Sequence, residues 1–338
     1  MNSIEESILI IAEVGSVHDG SFGNAKNMVS LASDCNADVV KFQTHIAKAE
    51  TLKNAPMPSF FKGEPRFEYF ERTSFDKMQW LELFSFCKEN EIEFMSSPFS
   101  IEAVSLLEDI GVSQYKIPSG EVTNTPLIQN IAATKKPVIL SSGMSTWEEL
   151  DHAINILEKI NTKKTTILQC TTEYPCRYEN VGLNVMVEMK DRYGLPFGLS
   201  DHTTSNYASF AAVTLGASII EKHLTFSKKM YGSDAKHSST PEEFMDLVNG
   251  IRSIETMKNN NVDKDEYALK INEMREVFQK SIVSNKLIKK GTVIQEDMIG
   301  IKKPGTGIEP KYIGKVLGKK AQVDIPINSI IKLDDLVK

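Results

Sequence analysis

The chain has 338 residues, 41% of them hydrophobic and 25% charged, with a formal net charge of −6. That is the profile of a water-soluble globular protein, with room for one large domain and a small one. The acidic balance argues against nucleic acid as the main partner, and no apolar run approaches the roughly 18 residues of a membrane helix. The opening Met1-Asn2-Ser3-Ile4-Glu5-Glu6 has no basic segment followed by an apolar one. Cys35, Cys87, Cys170 and Cys176 show neither CxxC spacing nor a disulfide framework. A cytoplasmic protein is expected.

Along the chain, eight short apolar runs each end in a polar or charged cluster. Residues 8–11 run into Ala12-Glu13, 39–40 into Lys41-Phe42-Gln43, and 93–95 into Ser96-Ser97. Residues 115–117 lead to Ser119-Gly120-Glu121, and 138–140 to Ser141-Ser142-Gly143. Then 167–170 lead to Thr171-Thr172-Glu173-Tyr174, 198–199 to Ser200-Asp201-His202, and 219–220 to Glu221-Lys222-His223. Strands that end in chemistry eight times over describe a (β/α)8 TIM barrel, whose active site sits at the C-terminal ends of its strands. An enzyme is expected.

Amphipathic spacing predicts helices over 25–35, 76–89, 101–110, 148–160, 185–193, 207–215 and 244–257. Thr240-Pro241-Glu242-Glu243 and Ser145-Thr146-Trp147-Glu148 read as capping boxes, and Thr125-Pro126 as a helix start. Residues 45–73 form a long connection without a clear period, placed at the catalytic face and expected to act as a lid. The barrel is expected over 1–260, a polar linker with a charged helix-like stretch over 261–279, and a small β-rich domain over 280–338. The last has β-type runs at 281–283, 291–294 and 321–323 separated by turn signals.

His202 and His223 close neighbouring strands, so both imidazoles can meet one divalent cation, Mn²⁺, Mg²⁺ or Co²⁺, with substrate oxygens and water completing its shell. Buried, hydrogen-bonded structural histidines are the bland alternative. Lys41 and Lys116, with Ser97, Ser119, Ser142 and Ser200, describe a site for a small multiply charged anion such as a phosphate or carboxylate. Schiff-base chemistry competes for either lysine. Glu13, Glu121, Glu173, Glu221 and Asp234 are carboxylate candidates, each as well suited to a salt bridge as to catalysis. Strand alternation puts Glu221 on the face of His223, as a partner of the metal-binding histidine.

These motifs in this order resemble the sialic acid synthases. The resemblance runs through Ile11-Ala12-Glu13, Lys41-Phe42-Gln43-Thr44, Lys116-Ile117-Pro118-Ser119-Gly120-Glu121, Ser200-Asp201-His202 and Glu221-Lys222-His223. The C-terminal segment, with Lys289-Lys290-Gly291 and Lys303-Pro304-Gly305, resembles their antifreeze-like (SAF) domain. The resemblance implies condensation of phosphoenolpyruvate with an open-chain N-acetylmannosamine-type sugar to a nine-carbon 2-keto acid and phosphate. It implies that Lys41, Ser97, Lys116, Ser119, Ser142 and Ser200 hold phosphoenolpyruvate, and that His202 and His223 hold a metal, Mn²⁺ first. Gln43, Tyr174, Asp234 and Lys303 would contact the sugar, with Glu13 and Glu121 as candidates for moving protons. It also implies a domain-swapped homodimer. Two positions depart from the family pattern. Lys303 stands for an arginine and loses its planar fork, and Ala235 stands where many relatives carry histidine. N-acetylneuraminate is the first product expected, with legionaminate or pseudaminate as alternatives. A barrel metallohydrolase, or a carbohydrate- or ice-binding protein, are the readings from other classes.

Overall fold

The computed structural model describes residues 7–56, 64–161 and 165–337. The chain divides into two compact units between Asn260 and Asn261.

In the first unit eight parallel strands form one sheet: β1 (Leu9–Glu13), β2 (Val39–Thr44), β3 (Glu93–Pro98), β4 (Tyr115–Ile117), β5 (Val138–Ser141), β6 (Thr165–Cys170), β7 (Phe197–Asp201) and β8 (Ile219–His223). Their order is β3-β2-β1-β8-β7-β6-β5-β4, and β3 lies against β4, which brings the two ends of the sheet together. This is the expected TIM barrel.

Alternation sorts its side chains into two cores. Ile10, Val40, Phe94, Tyr115, Leu140, Ile167, Leu199 and Ile220 point outward and pack under the helices. Ile11, Val39, Met95, Ile139, Leu168 and Ile219 form a separate inner cluster that fills the barrel. Two residues further along each of these strands, on the same face, stand Glu13, Lys41, Ser97, Ser141, Cys170 and Glu221. An apolar floor, with Leu9 packed against it, therefore lies beneath a polar layer.

The helices follow the amphipathic spacing with small shifts. Thr240 caps Pro241–Asn259 in a reciprocal box with Glu243, a device whose loss costs about 1 kcal/mol. The other expected box moves one residue on: Thr146 is the cap and Glu149 its partner. At Thr125–Ala133 the cap is Asn124, so Thr125 is already helical. The long connection is not featureless. It holds two short helices, Ala47–Glu50 and Arg66–Thr73, while Met57-Pro58 and Phe60-Phe61 lie outside the described residues.

In the second unit the stretch expected as a linker carries helices Lys264–Lys270 and Asn272–Phe278. Then β9 (Ser281–Ser284) pairs antiparallel with β10 (Ile299–Lys302) over a core that includes Ile282, Ile288, Ile294 and Ile331. The runs at 291–294 and 321–323 form isolated bridges, Val293 to Lys320 and Ala321 to Leu336, instead of strands. Among the described residues no helix is long and apolar enough to cross a membrane.

Candidate active site

The polar layer closes into an ion network. Lys116 Nζ donates to Glu221 Oε2 at 2.6 Å, and Glu221 Oε1 accepts from Ser200 Oγ at 3.3 Å. Lys41 Nζ lies 3.4 Å from Glu221 Oε1 and 2.7 Å from Glu13 Oε2, the latter an ion-pair contact outside hydrogen-bond geometry. Lys41 also donates to Ser97 Oγ at 3.4 Å. Glu13, Lys41, Ser97, Lys116, Ser200 and Glu221 are all buried, so solvent screens these charges little.

The charges adjust to one another. Burial opposes the charge on Lys41, but Glu13 and Glu221 outweigh it and hold its ammonium above the usual lysine range. Lys116 moves the other way, because burial dominates, with Glu221 opposing and Lys41 adding repulsion. Burial would raise Glu221, yet the two lysines hold it down at about 2. Glu221 is thus the shared counterion of two lysines, where alternation alone suggested a partner for His223. Lys116, with only that shared carboxylate, is the cation left most in need of an anion.

The remaining serines stand close by. Ser142 Oγ donates to Gln169 Oε1 at 3.1 Å and accepts from the Cys170 N–H at 3.3 Å. Ser119 packs against Gly143, where an added Cβ would come within 2.6 Å of both Ser119 Oγ and Thr172 Oγ1. Gln169 was not singled out by the sequence, nor was Cys170 placed in this layer, where burial pushes its thiol up.

Beside this network lie the two histidines, with ring centroids 5.5 Å apart. His202 Nδ1 faces the Thr171 carbonyl at 2.9 Å, so it donates there and leaves Nε2 with its lone pair. Burial holds His202 near pKa 4 and therefore neutral, while His223 Nδ1 is buried with no hydrogen-bond partner. His202 Nε2 and the orphaned His223 Nδ1 fit a divalent cation. Among the described residues no three His, Cys, Asp or Glu side chains converge on a metal position. His202 and His223 would be the protein ligands of an ion held here, with water or substrate completing its shell.

Tyr174 stacks on His202 at 4.3 Å and meets His223 edge-on at 6.1 Å. Asp234 is tied to the β1 side of the mouth: its Oδ2 accepts from the Ser16 N–H at 2.7 Å and Ser16 Oγ at 2.8 Å. That approach needs Gly15, whose φ is +53° and where an added Cβ would lie 2.4 Å from Asp234 Oδ2 and 3.4 Å from His223 Cε1. Gln43 Nε2 donates to Glu13 Oε1 at 2.7 Å.

Behind the site, Lys222 points outward and donates to Asp201 Oδ2 (2.9 Å), Thr203 O (2.9 Å) and Ser205 O (3.0 Å). Asp201 also accepts from the Thr203 N–H at 2.8 Å. The segment that carries His202 is thereby pinned to β8.

Not every candidate joins the cluster. Glu121 sits in a turn after β4, accepts from Asn124 Nδ2 at 2.7 Å, and feels Glu50, His45 and Arg66. Burial, the main cause, raises its pKa above the usual carboxylate range. Glu173 pairs with Arg177 and Asn180 in an exposed turn, a structural arrangement. Lys303 lies in the second unit, its ammonium 4.9 Å from the Phe278 ring centroid.

Residues 28–263 match the NeuB family and residues 279–337 the SAF domain. The chain is 38% identical to the N,N'-diacetyllegionaminic acid synthase of Campylobacter jejuni, across 96% of this chain and 98% of that protein. It is 34% identical to the pseudaminic acid synthase of Helicobacter pylori, with 97% of each covered. The solved N-acetylneuraminic acid synthetase from Leptospira borgpetersenii superposes with a TM-score of 0.69 at 28% identity, covering 80% of this chain and 92% of that one. With both of its units matched, the chain belongs to the NeuB family and carries a SAF domain over residues 279–337.

Proposed function

We propose that this member of the nonulosonic acid synthases condenses phosphoenolpyruvate with an open-chain N-acylated mannosamine-type sugar. The observation that carries the reading is the buried pair of lysines, Lys41 and Lys116, sharing Glu221 among serine hydroxyls. An incoming phosphate and carboxylate would take over the counter-charge that Glu221 supplies to Lys116. Ser97, Ser119, Ser142 and Ser200 would then donate to its oxygens.

In the reaction, carbon 3 of phosphoenolpyruvate bonds to the aldehyde carbon, whose oxygen takes a proton. Water adds at carbon 2 and loses one proton; the bond between carbon 2 and the bridging oxygen then breaks as the new hydroxyl becomes the ketone, its remaining proton going to the departing phosphate. Phosphate departs with the bridging oxygen, leaving the 2-keto acid. Glu13, which contacts Gln43 and Lys41, would hold or move a proton beside the aldehyde. Glu121, with its raised pKa, is suited to carry one to the mouth. Gln43, Tyr174 and Asp234 would contact the sugar. His202 and His223 would hold Mn²⁺, or Mg²⁺ or Co²⁺, which supplies Lewis-acid polarisation of the aldehyde oxygen when bound. Lys303 would reach the sugar from a partner protomer in a domain-swapped dimer.

The 38% identity to a legionaminic acid synthase favours 2,4-diacetamido-2,4,6-trideoxymannose as the sugar, and Gln43-Thr44-His45, which resembles the N-acetylneuraminate branch of the family, supports N-acetylmannosamine as the second reading. Phosphate release from phosphoenolpyruvate with Mn²⁺ is measured with each sugar in parallel. Turnover with the first alone makes the chain a legionaminate synthase, and turnover with N-acetylmannosamine makes it an N-acetylneuraminate synthase. Phosphoenolpyruvate labelled with ¹⁸O in its bridging oxygen delivers the label to phosphate; label retained in the keto acid overturns the mechanism.

A further inference from the structure

The side-chain amide of Gln43 is held at both ends. Its Nε2 donates to Glu13 Oε1 at 2.7 Å, and its Oε1 lies 3.2 Å from His45 Nε2. On the far side of that ring, His45 Nδ1 is 2.7 Å from Glu50 Oε1. The imidazole is clamped between two phenylalanines: Phe70, with centroids 3.9 Å apart and planes 10° apart, and Phe99, at 4.2 Å and 21°. The side chains of His45 and Glu50 are 11% and 6% exposed. Glu50, His45, Gln43 and Glu13 thus form one row from the helix Ala47–Glu50 to the place where Glu13 meets Lys41.

The row has a direction. An amide NH₂ facing the Glu13 carboxylate is favourable, whereas the reverse orientation sets oxygen against oxygen. The amide oxygen therefore faces His45, and His45 Nε2 must bring a hydrogen to it. Nδ1 faces the Glu50 carboxylate at 2.7 Å, so the ring is held from both sides. The stacked phenylalanines leave the ring no other plane to occupy. One hydrogen of the Gln43 NH₂ and one lone pair of its oxygen are then presented in a fixed orientation.

We infer that His45, held by Glu50, Phe70 and Phe99, is a positioning residue for the sugar: it locks the Gln43 amide and, through it, the orientation of Glu13. The inference rests on the proposed function for the identity of the ligand but not for the row itself. It assigns His45 and Glu50 to the sugar side of the reaction; the row meets the lysine and serine floor where Glu13 Oε2 lies 2.7 Å from Lys41 Nζ.

His45→Phe tests this, because it keeps a ring between Phe70 and Phe99 and removes both ring nitrogens. The expected result is a rise of about tenfold in KM for the sugar, the worth of one ordered hydrogen bond, with KM for phosphoenolpyruvate unchanged. In a Gln43→Ala background the same substitution has no further effect, since its route to the sugar is gone. Glu50→Gln keeps an oxygen toward Nδ1 and stays near wild type, whereas Glu50→Leu matches His45→Phe. Equal rises in both KM values, or an undiminished effect in the Gln43→Ala background, overturn the inference. A readout that needs no turnover separates this failure from a failure of the proposed function. In ¹⁵N–¹H spectra, the His45 ring is identified by its loss in His45→Phe, and Gln43→Ala shifts its Nε2 signal. A ring indifferent to Gln43→Ala sinks the row whatever the substrate; intact coupling without turnover on any mannosamine-type sugar sinks the functional reading alone.

Discussion

Lys116 on β4 and Glu221 on β8 meet at 2.6 Å inside the barrel, 105 residues apart in the chain and both sealed from solvent. Removing one partner of such a pair strands the other. Lys116→Met is expected to destabilise the fold by about 3 kcal/mol, less whatever Lys41 recovers for Glu221. Adding Glu221→Gln to Lys116→Met restores most of it, because the buried charge is gone. Urea unfolding of the two variants reads this, and a double variant no more stable than the single one refutes it.

Gly15 is where the first strand's loop and Asp234 come together. Gly15→Ala places a methyl 2.4 Å from Asp234 Oδ2 at a φ of +53°, and a side chain in that region is strained by about 1–3 kcal/mol. Activity is expected to fall through displacement of Asp234, with KM for the sugar affected more than KM for phosphoenolpyruvate. Unchanged sugar kinetics would show that Asp234 does not need its present position.

His18 is 4% exposed and its Nδ1 accepts the Gly20 N–H at 3.1 Å. Burial, with His45 adding repulsion, lowers its pKa from 6.5 to about 4. Between those values the unfolded chain binds a proton that the folded chain refuses. The stability from neutral His18 is therefore complete above pH 6.5 and lost progressively as pH falls toward 4. The linkage amounts to about 2 kcal/mol between pH 7 and pH 5. His18→Asn keeps an acceptor without the titration, and its unfolding midpoint should drop less over that interval. Parallel pH profiles would assign the acid sensitivity elsewhere.

Glu13→Gln and Glu121→Gln preserve shape and remove an ionisable group from the two proton-handling candidates. Each is expected to lower kcat at least about tenfold while leaving phosphoenolpyruvate affinity within about twofold. The reverse pattern, a higher KM for phosphoenolpyruvate with kcat intact, removes that residue from proton transfer.

Lys303 lies in one unit and Lys116 in the other. If Lys303 acts on a partner's barrel, co-expressed Lys303→Ala and Lys116→Ala chains form mixed dimers in which one barrel has both lysines available. Activity above that of either variant alone is the expected outcome. Its absence in verified mixed dimers returns Lys303 to a local role on Phe278.

How much of this was legible in the sequence follows from the reach of each signal. Strand ends were legible because alternation is local: an apolar pair followed by Glu13, Lys41 or Glu221 needs no knowledge of neighbours. Capping was legible at Thr240 but off by one at Thr146, where Ser145 offered an equally good hydroxyl. The network itself was not legible. That Glu221 serves Lys116, Lys41 and Ser200 together depends on closing the barrel, and no window of sequence contains all four. Gln169 and Cys170 were hidden for the opposite reason, since a glutamine and a cysteine in an apolar run read as ordinary core. His45 and Glu50 stood in a stretch without period, whose short helix is four residues long and too brief to register.

The outward-facing Lys222 has an evolutionary meaning. Barrels diversify by exchanging the loops after their strands, but the loop after β7 is riveted by a buried ammonium to one carboxylate and two carbonyls. Insertion or deletion there would leave an unpaired charge in the core before it altered any substrate contact. Changes of length are therefore better borne by connections without such a rivet, and His202 keeps its place beside His223.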